Sequence, residues 1–155
     1  MAMGGWALME LSCKVKYALV ALLELASHHE RGVPLQISQI AANQEMPDRY
    51  LEQLLTALRR GGFVRSQRGA KGGYLLAKPP WQITLREVIA CLEGSQSQEK
   101  NEPPEESALT AEGFVIQEVW QEAALAARAV LQRYTLHDLC QKRDDRQRIS
   151  TMYYI

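Results

Sequence analysis

The sequence predicts a mainly α-helical chain with one small β element, and three observations predict it. Apolar residues recur every three or four positions in long stretches, most clearly in 11–30, 48–60 and 110–134. Strand-like residues are confined to the two sides of one glycine-rich loop, "RSQRGAKGGYLL", Arg65 to Leu76. Helix caps and turn residues cut the chain into short elements up to Gly94. The 155 residues suffice for one packed domain with an added arm, and 46% hydrophobic content is ordinary for a globular protein. No run of about 18 apolar residues suggests a membrane span.

From the start, Met1 to Leu8 read as an upstream extension or expression scar, with Met9 as a second start site. The opening lacks the basic flank and long apolar stretch of a secretion signal. A first helix is expected over Leu11 to Glu30, capped by Ser12, with Val15, Ala18, Leu19, Leu22, Leu23, Leu25 and Ala26 at helical spacing. Gly32 ends it, and Leu35 to Ile37 can add a short strand. Ser38 is expected to cap a second helix, Gln39 to Gln44. Asp48 is expected to cap a third, with Leu51, Leu54, Leu55 and Leu58 inside and Gly61 and Gly62 as its stop. Short helices joined by a tight turn after a longer one form a helix-turn-helix arrangement.

Phe63 to Ser66 and Tyr74 to Ala77 then read as a hairpin, ended by Pro79 and Pro80. Thr84 and Glu87 form a capping box before a fourth helix that closes at Gly94. Residues 95–109 read as a flexible linker, because Ser95 to Ser107 contains no apolar residue. A long helix follows from Thr110 to Arg133, and Thr135 is expected to cap a last turn through Leu139. The tail, 142–155, is left open between strand and disorder.

A glycine loop with cations raises two possibilities, a nucleotide phosphate or a DNA backbone. The loop lacks the G-x-x-x-x-G-K-[ST] pattern, since Lys71 precedes Gly72 and no Ser or Thr follows. It also joins two strands, not a strand to a helix. A basic wing fits instead: glycines let the backbone approach a duplex, and Arg65, Arg68 and Lys71 supply charge. The zero net charge hides an asymmetry. Arg49 to Arg86 holds eight cations against Glu52, whereas Glu93 to Glu122 holds eight glutamates against Lys100. Such a split suits a polyanion on one surface and something else on the other.

The segments "MELSCKVKYAL", "IAANQEMPDRYLEQLLTALRRGGFVRSQRGAKGGYLLAKPPWQITLREVI" and "TLHDL" resemble the Rrf-type winged helix-turn-helix transcription regulators. These are the relatives of the iron–sulfur regulator IscR, the cysteine-metabolism repressor CymR and the nitric-oxide sensor NsrR. The resemblance runs from about Met9 to Leu139. It implies a winged helix-turn-helix DNA-binding domain over 9–94 and a homodimer that binds double-stranded, pseudo-palindromic operator DNA. The recognition helix would be Asp48 to Arg60, with Asp48, Arg49, Tyr50, Glu52 and Gln53 as base-edge and phosphate candidates. Gln53 can pair with adenine, and Arg49 can donate to guanine or phosphate. Arg59 fits a phosphate contact, and Arg68, beside Lys71, can enter the minor groove. Ser12, Lys14 and Tyr17 match the family's N-terminal helix start, where amides and small donors meet a phosphate.

Dimerisation is expected on a long C-terminal helix in the segment 110–141. Ile116, Val119, Ala123, Ala127, Val130 and Tyr134 form an apolar stripe, and Trp120 is large enough to anchor it. The alternative is that the stripe packs on the chain's own first helix.

Many relatives hold an iron–sulfur cluster on three cysteines between the fourth and the long helix. Here Ser95 to Gly113 contains neither cysteine nor histidine, so the usual site is missing and no cofactor is expected. Cys13 and Cys91 remain candidates for unusual ligation, or Cys91 for thiol sensing; as a bland alternative Cys91 packs as a small hydrophobe. His28 and His29 lack the spacing of a metal pair. Three widely spaced cysteines, Cys13, Cys91 and Cys140, suit reduced thiols in a cytoplasm. Two other classes stay open: an enzyme using Cys140 with His137, and a protein–protein adaptor, whose sign would be a neutral wing.

Overall fold

The computed structural model of the chain describes residues 11–94 and 110–153. Within them the order is α1 (Cys13–Ser27), α2 (Ile37–Gln44), α3 (Asp48–Arg60), β1 (Val64–Gln67), β2 (Gly73–Leu76), a 3-10 turn (Pro80–Gln82), α4 (Leu85–Gly94), α5 (Ala111–Arg133) and α6 (Leu136–Tyr153). The extension at 1–8 and the linker at 95–109 lie outside the described residues.

Ser12 caps α1, its Oγ accepting from the Val15 N–H at 3.2 Å. The helix ends at Ser27, short of the expected Glu30, because the His28 N–H turns onto the Leu25 carbonyl and the chain leaves helical torsions there. Two caps differ from expectation. Ser38 lies inside α2, and Gln36 takes the cap position, its N–H donating to Gln39 Oε1 at 2.9 Å. Asp48 is the first residue of α3, and Pro47 precedes it in extended conformation. The Asp48 carboxylate therefore sits in the first turn, where the helix dipole favours negative charge.

The hairpin is shifted by one residue from the expected strands. Val64 pairs with Leu76, Arg65 with Leu75, Ser66 with Tyr74 and Gln67 with Gly73. Phe63 is buried in the core instead of opening the strand. The expected strand at Leu35 to Ile37 shrinks to a bridge, in which Leu35 and Tyr74 exchange backbone hydrogen bonds of 3.0 and 2.8 Å. Gly73 permits that approach, since a Cβ there would meet the Leu35 carbonyl. Gly69 turns the loop with φ +114°, a torsion that L side chains rarely adopt.

The core is apolar throughout. Leu22, Ile40, Leu51, Leu55, Leu58, Ile83, Val88 and Leu92 are fully enclosed, so α1 to α4 share one interior. Each buried leucine or isoleucine contributes about 1.5–3 kcal/mol relative to exposure. The Thr84–Glu87 box forms as the spacing predicts, with bonds of 3.2 and 3.4 Å. Thr110 caps α5 by accepting from the Gly113 N–H at 3.0 Å.

The C-terminus departs furthest from expectation. The single turn through Leu139 and the undecided tail are one continuous helix, α6, as far as Tyr153. Thr135 and Asp138 make a reciprocal box, with bonds of 2.9 and 3.2 Å. The Thr135 N–H, donating to the Asp138 carboxylate at 2.9 Å, and then the Thr135 hydroxyl, donating to it at 3.1 Å, hold the Asp138 carboxyl below its ordinary value. Leu136 is fully buried, Thr84 bridges Thr135, and Arg143 Nη1 donates to Ser27 Oγ at 2.7 Å. Its first half is therefore docked on α1 and the 3-10 turn.

Candidate nucleic-acid interface

Helix α3 has two opposed faces. Leu51, Leu54, Leu55 and Leu58 point inward and are buried. Asp48, Arg49, Glu52, Gln53 and Arg59 point outward and are exposed. Arg49, Glu52 and Gln53 line one shallow groove together with Thr56, Ala57 and Arg60. Thr56 and Arg60, outside the expected set, join this groove and continue the helical spacing from Gln53 by three and seven positions. Thr56 Oγ1 donates to the Glu52 carbonyl at 2.8 Å, so its hydroxyl proton is already engaged.

Tyr50 is half-buried and meets Tyr17 of α1 edge-on, with ring centroids 5.8 Å apart at 87°. This contact brings the start of α1 beside the start of α3. Ser12 is exposed at the tip of α1, its Oγ held by the cap bond. Lys14 points elsewhere: its Nζ donates to the Leu92 carbonyl of α4 at 3.4 Å. No local pattern could reveal that partner, which lies 78 positions away.

In the hairpin, Arg65, Ser66, Gln67, Arg68 and Lys71 are all exposed. Val64 and Leu76, paired directly across the hairpin, anchor its inner side in the core. The wing is thus a two-stranded element with its cations exposed. It carries a positive surface in water, where desolvation costs no stability.

Helix α5 forms a second, apolar surface. It has no buried residue over 23 positions, although more than half of them are apolar. Ile116, Val119 and Val130 are exposed at 65%, 62% and 42%, while Trp120, Ala123, Ala127 and Tyr134 are half-buried. Phe114, Val115 and Leu125 add exposed apolar area that the expected stripe did not include. The helix packs mainly on α4, not on α1.

The cysteines do not gather. Cys13 is exposed on α1, and Cys140 is half-buried on α6. Cys91 Sγ lies 3.8 Å from the Ala57 carbonyl and against Gly61, where a Cβ would collide with it. Among the described residues no group of three or more His, Cys, Asp or Glu is placed to hold a metal ion. The three cysteines lie on three different helices, α1, α4 and α6. Burial pushes the Cys140 thiol above its ordinary value, the opposite of what a nucleophile needs.

Comparison with known proteins agrees with this geometry. The profile of the Rrf2 family, described as "Iron-dependent Transcriptional regulator", matches residues 11–142. The HTH-type transcriptional regulator CymR of Bacillus subtilis is 37% identical over 147 residues, covering 95% of this chain and 100% of the relative. The solved structure of T. potens IscR superposes with a TM-score of 0.72 at 33% identity, covering 89% of this chain and 90% of that one. The solved structure of CymR from B. subtilis gives 0.69 at 34%, covering 86% and 97%. These relatives are named as regulators and not as enzymes, and no helix among the described residues is long and apolar enough to cross a membrane. With a matching family profile, a full-length relative and a shared winged fold, the chain belongs to the Rrf2 family of helix-turn-helix transcriptional regulators.

Proposed function

We propose that the protein works in the cytoplasm as a homodimer that recognises a pseudo-palindromic DNA operator through α3 and the basic wing. The observation that carries this reading is the pairing of two unlike surfaces. One is the outward row of Arg49, Glu52, Gln53, Thr56 and Arg60 beside Arg65, Arg68 and Lys71; the other is the uncovered apolar face of α5. Arg49 and Gln53 read base edges, Asp48, Tyr50 and Glu52 orient the first turns, and Arg59 and Lys71 hold phosphates. Arg68 reaches the minor groove. Ser12 and Tyr17 place the α1 N-terminus against the backbone, where helix N–H groups donate to a phosphate. Lys14 acts indirectly, by tying that end of α1 to α4.

The reading is tested by selecting binders from a pool of randomised duplexes with the full-length chain. It expects enrichment of an inverted repeat whose half-sites lie about one helical turn apart or a multiple of it. Affinity for the selected duplex should fall with salt, with a log–log slope of about −0.9 per phosphate neutralised. A pool that stays random after repeated rounds contradicts the proposal.

The signal is not read through a conventional iron–sulfur cluster, because the segment between α4 and α5 offers no thiolate and the remaining cysteines are scattered. Protein purified without oxygen should lack stoichiometric iron and sulfide and the visible absorption of a cluster. Stoichiometric iron and sulfide that disappear in Cys91→Ser would instead make Cys91 a ligand.

A further inference from the structure

We infer that the cleft between α4 and α5 is a binding site for a small organic monoanion, a carboxylate with a short apolar body. The cleft holds about 230 Å³ and is lined by Arg86, Ile89, Ala90, Glu93, Arg128 and Leu131. The four α4 residues fall three, four and seven positions after the first, so they share one helix face. Arg128 and Leu131 stand nearly one turn apart on the facing side of α5. Among the described residues neither guanidinium has an ion-pair partner. Two arginines from different helices, at one concave site, present planar donor forks that match a carboxylate.

The floor sets the rest of the ligand. Ile89 and Leu131 are half-buried and give the cleft an apolar base, which suits a short branched hydrocarbon. Glu93 shares the lining, so two positive charges face one negative one. A single negative charge is neutralised there, whereas a dianion meets the Glu93 carboxylate.

The cleft is placed to affect DNA binding. The opposite face of α4 buries Val88 and Leu92 and sets Cys91 Sγ against the Ala57 carbonyl of α3. Ala57 lines the same outward groove as Arg49 and Gln53. A ligand that draws α4 toward α5 therefore acts on the helix proposed to read the operator. This regulatory part rests on the DNA-binding reading; occupancy of the cleft does not.

The experiment titrates the full-length chain with isovalerate and follows methyl NMR signals, with isopentylamine and inorganic phosphate as competing probes. Saturable shifts are expected on the Ile89 and Leu131 methyls. Arg86→Gln and Arg128→Gln should each weaken binding about tenfold or more, the size of a lost charge-assisted bond, with the thermal midpoint unchanged. Operator affinity measured in parallel should change about fivefold or more with saturating isovalerate. Absence of saturable shifts, equal affinity in both variants, or tighter binding of the amine or phosphate overturns the site. Saturable shifts with unchanged operator affinity overturn the regulatory role alone. If the chain bound no DNA at all, the methyl titration would still decide the site.

Discussion

Replacing Ala127 with glutamate is expected to give a monomer in sedimentation velocity and to abolish operator binding while the winged domain stays folded. Ala127 lies in the apolar stripe with Ile116, Val119, Ala123 and Val130, and small residues there let two helices approach closely. A carboxylate introduced into such an interface is desolvated without a partner, which costs several kcal/mol. The monomer should tolerate it. Helix α5 buries no residue within the described chain, and glutamate is nearly as good a helix former as most side chains. Retained helical circular dichroism and an unchanged melting midpoint at low concentration check that tolerance. A variant that remains dimeric with full affinity shows that the subunits meet elsewhere.

The second large effect belongs to the wing. Arg68→Ala is expected to weaken operator binding about tenfold or more, because it removes a charge-assisted contact worth about 1.5–3 kcal/mol. Arg68 is exposed at the hairpin, so its loss should leave folding unchanged. Arg133→Ala, an equally exposed cation at the end of α5, is expected to have little effect. Equal losses from both changes reduce the wing to diffuse charge. Gln53→Ala separates readout from attraction: it should relax preference at one operator position by about 1–3 kcal/mol and leave the salt dependence unchanged. Fluorescence anisotropy against single-substituted duplexes measures both.

Local chemistry made most of the winged domain legible in the sequence. Ser12, Thr84 with Glu87, and Thr110 each signal a helix start through bonds that span three residues, and all three form. The leucines of α3 mark its inner face by period alone, and the outer face follows from them. What the sequence left unread depends on distant partners. Lys14 carries no mark of its bond to Leu92, nor Cys91 of its contact with Ala57. The cap of α2 went to Gln36 and not to Ser38; there Gln39 Oε1 accepts from the Gln36 backbone N–H, a start that the usual Ser, Thr, Asp or Asn signal does not announce.

Helix α6 was illegible for a different reason. From Gln141 to Arg148 it holds no apolar residue, so no period signals a buried face. Its order comes instead from the Thr135–Asp138 box, buried Leu136, the Arg143–Ser27 bond and the Arg148–Asp145 pair at 2.7 Å. The surface pair adds little by itself, and the anchored first turns do most to nucleate the helix. The exposed apolar face of α5 was visible in the sequence as a stripe. Whether its own chain covered it required the fold, because α1 and α5 both carry apolar faces that fit such a contact.

Two copies of this chain are proposed to clasp one operator, and the mass of the protein–DNA complex, by analytical ultracentrifugation on the duplex enriched from the randomised pool, measures this most directly. Two chains per duplex are expected at saturation, and no stable complex on a duplex carrying a single half-site at the same concentration. One chain per duplex with undiminished affinity for the single half-site would contradict it.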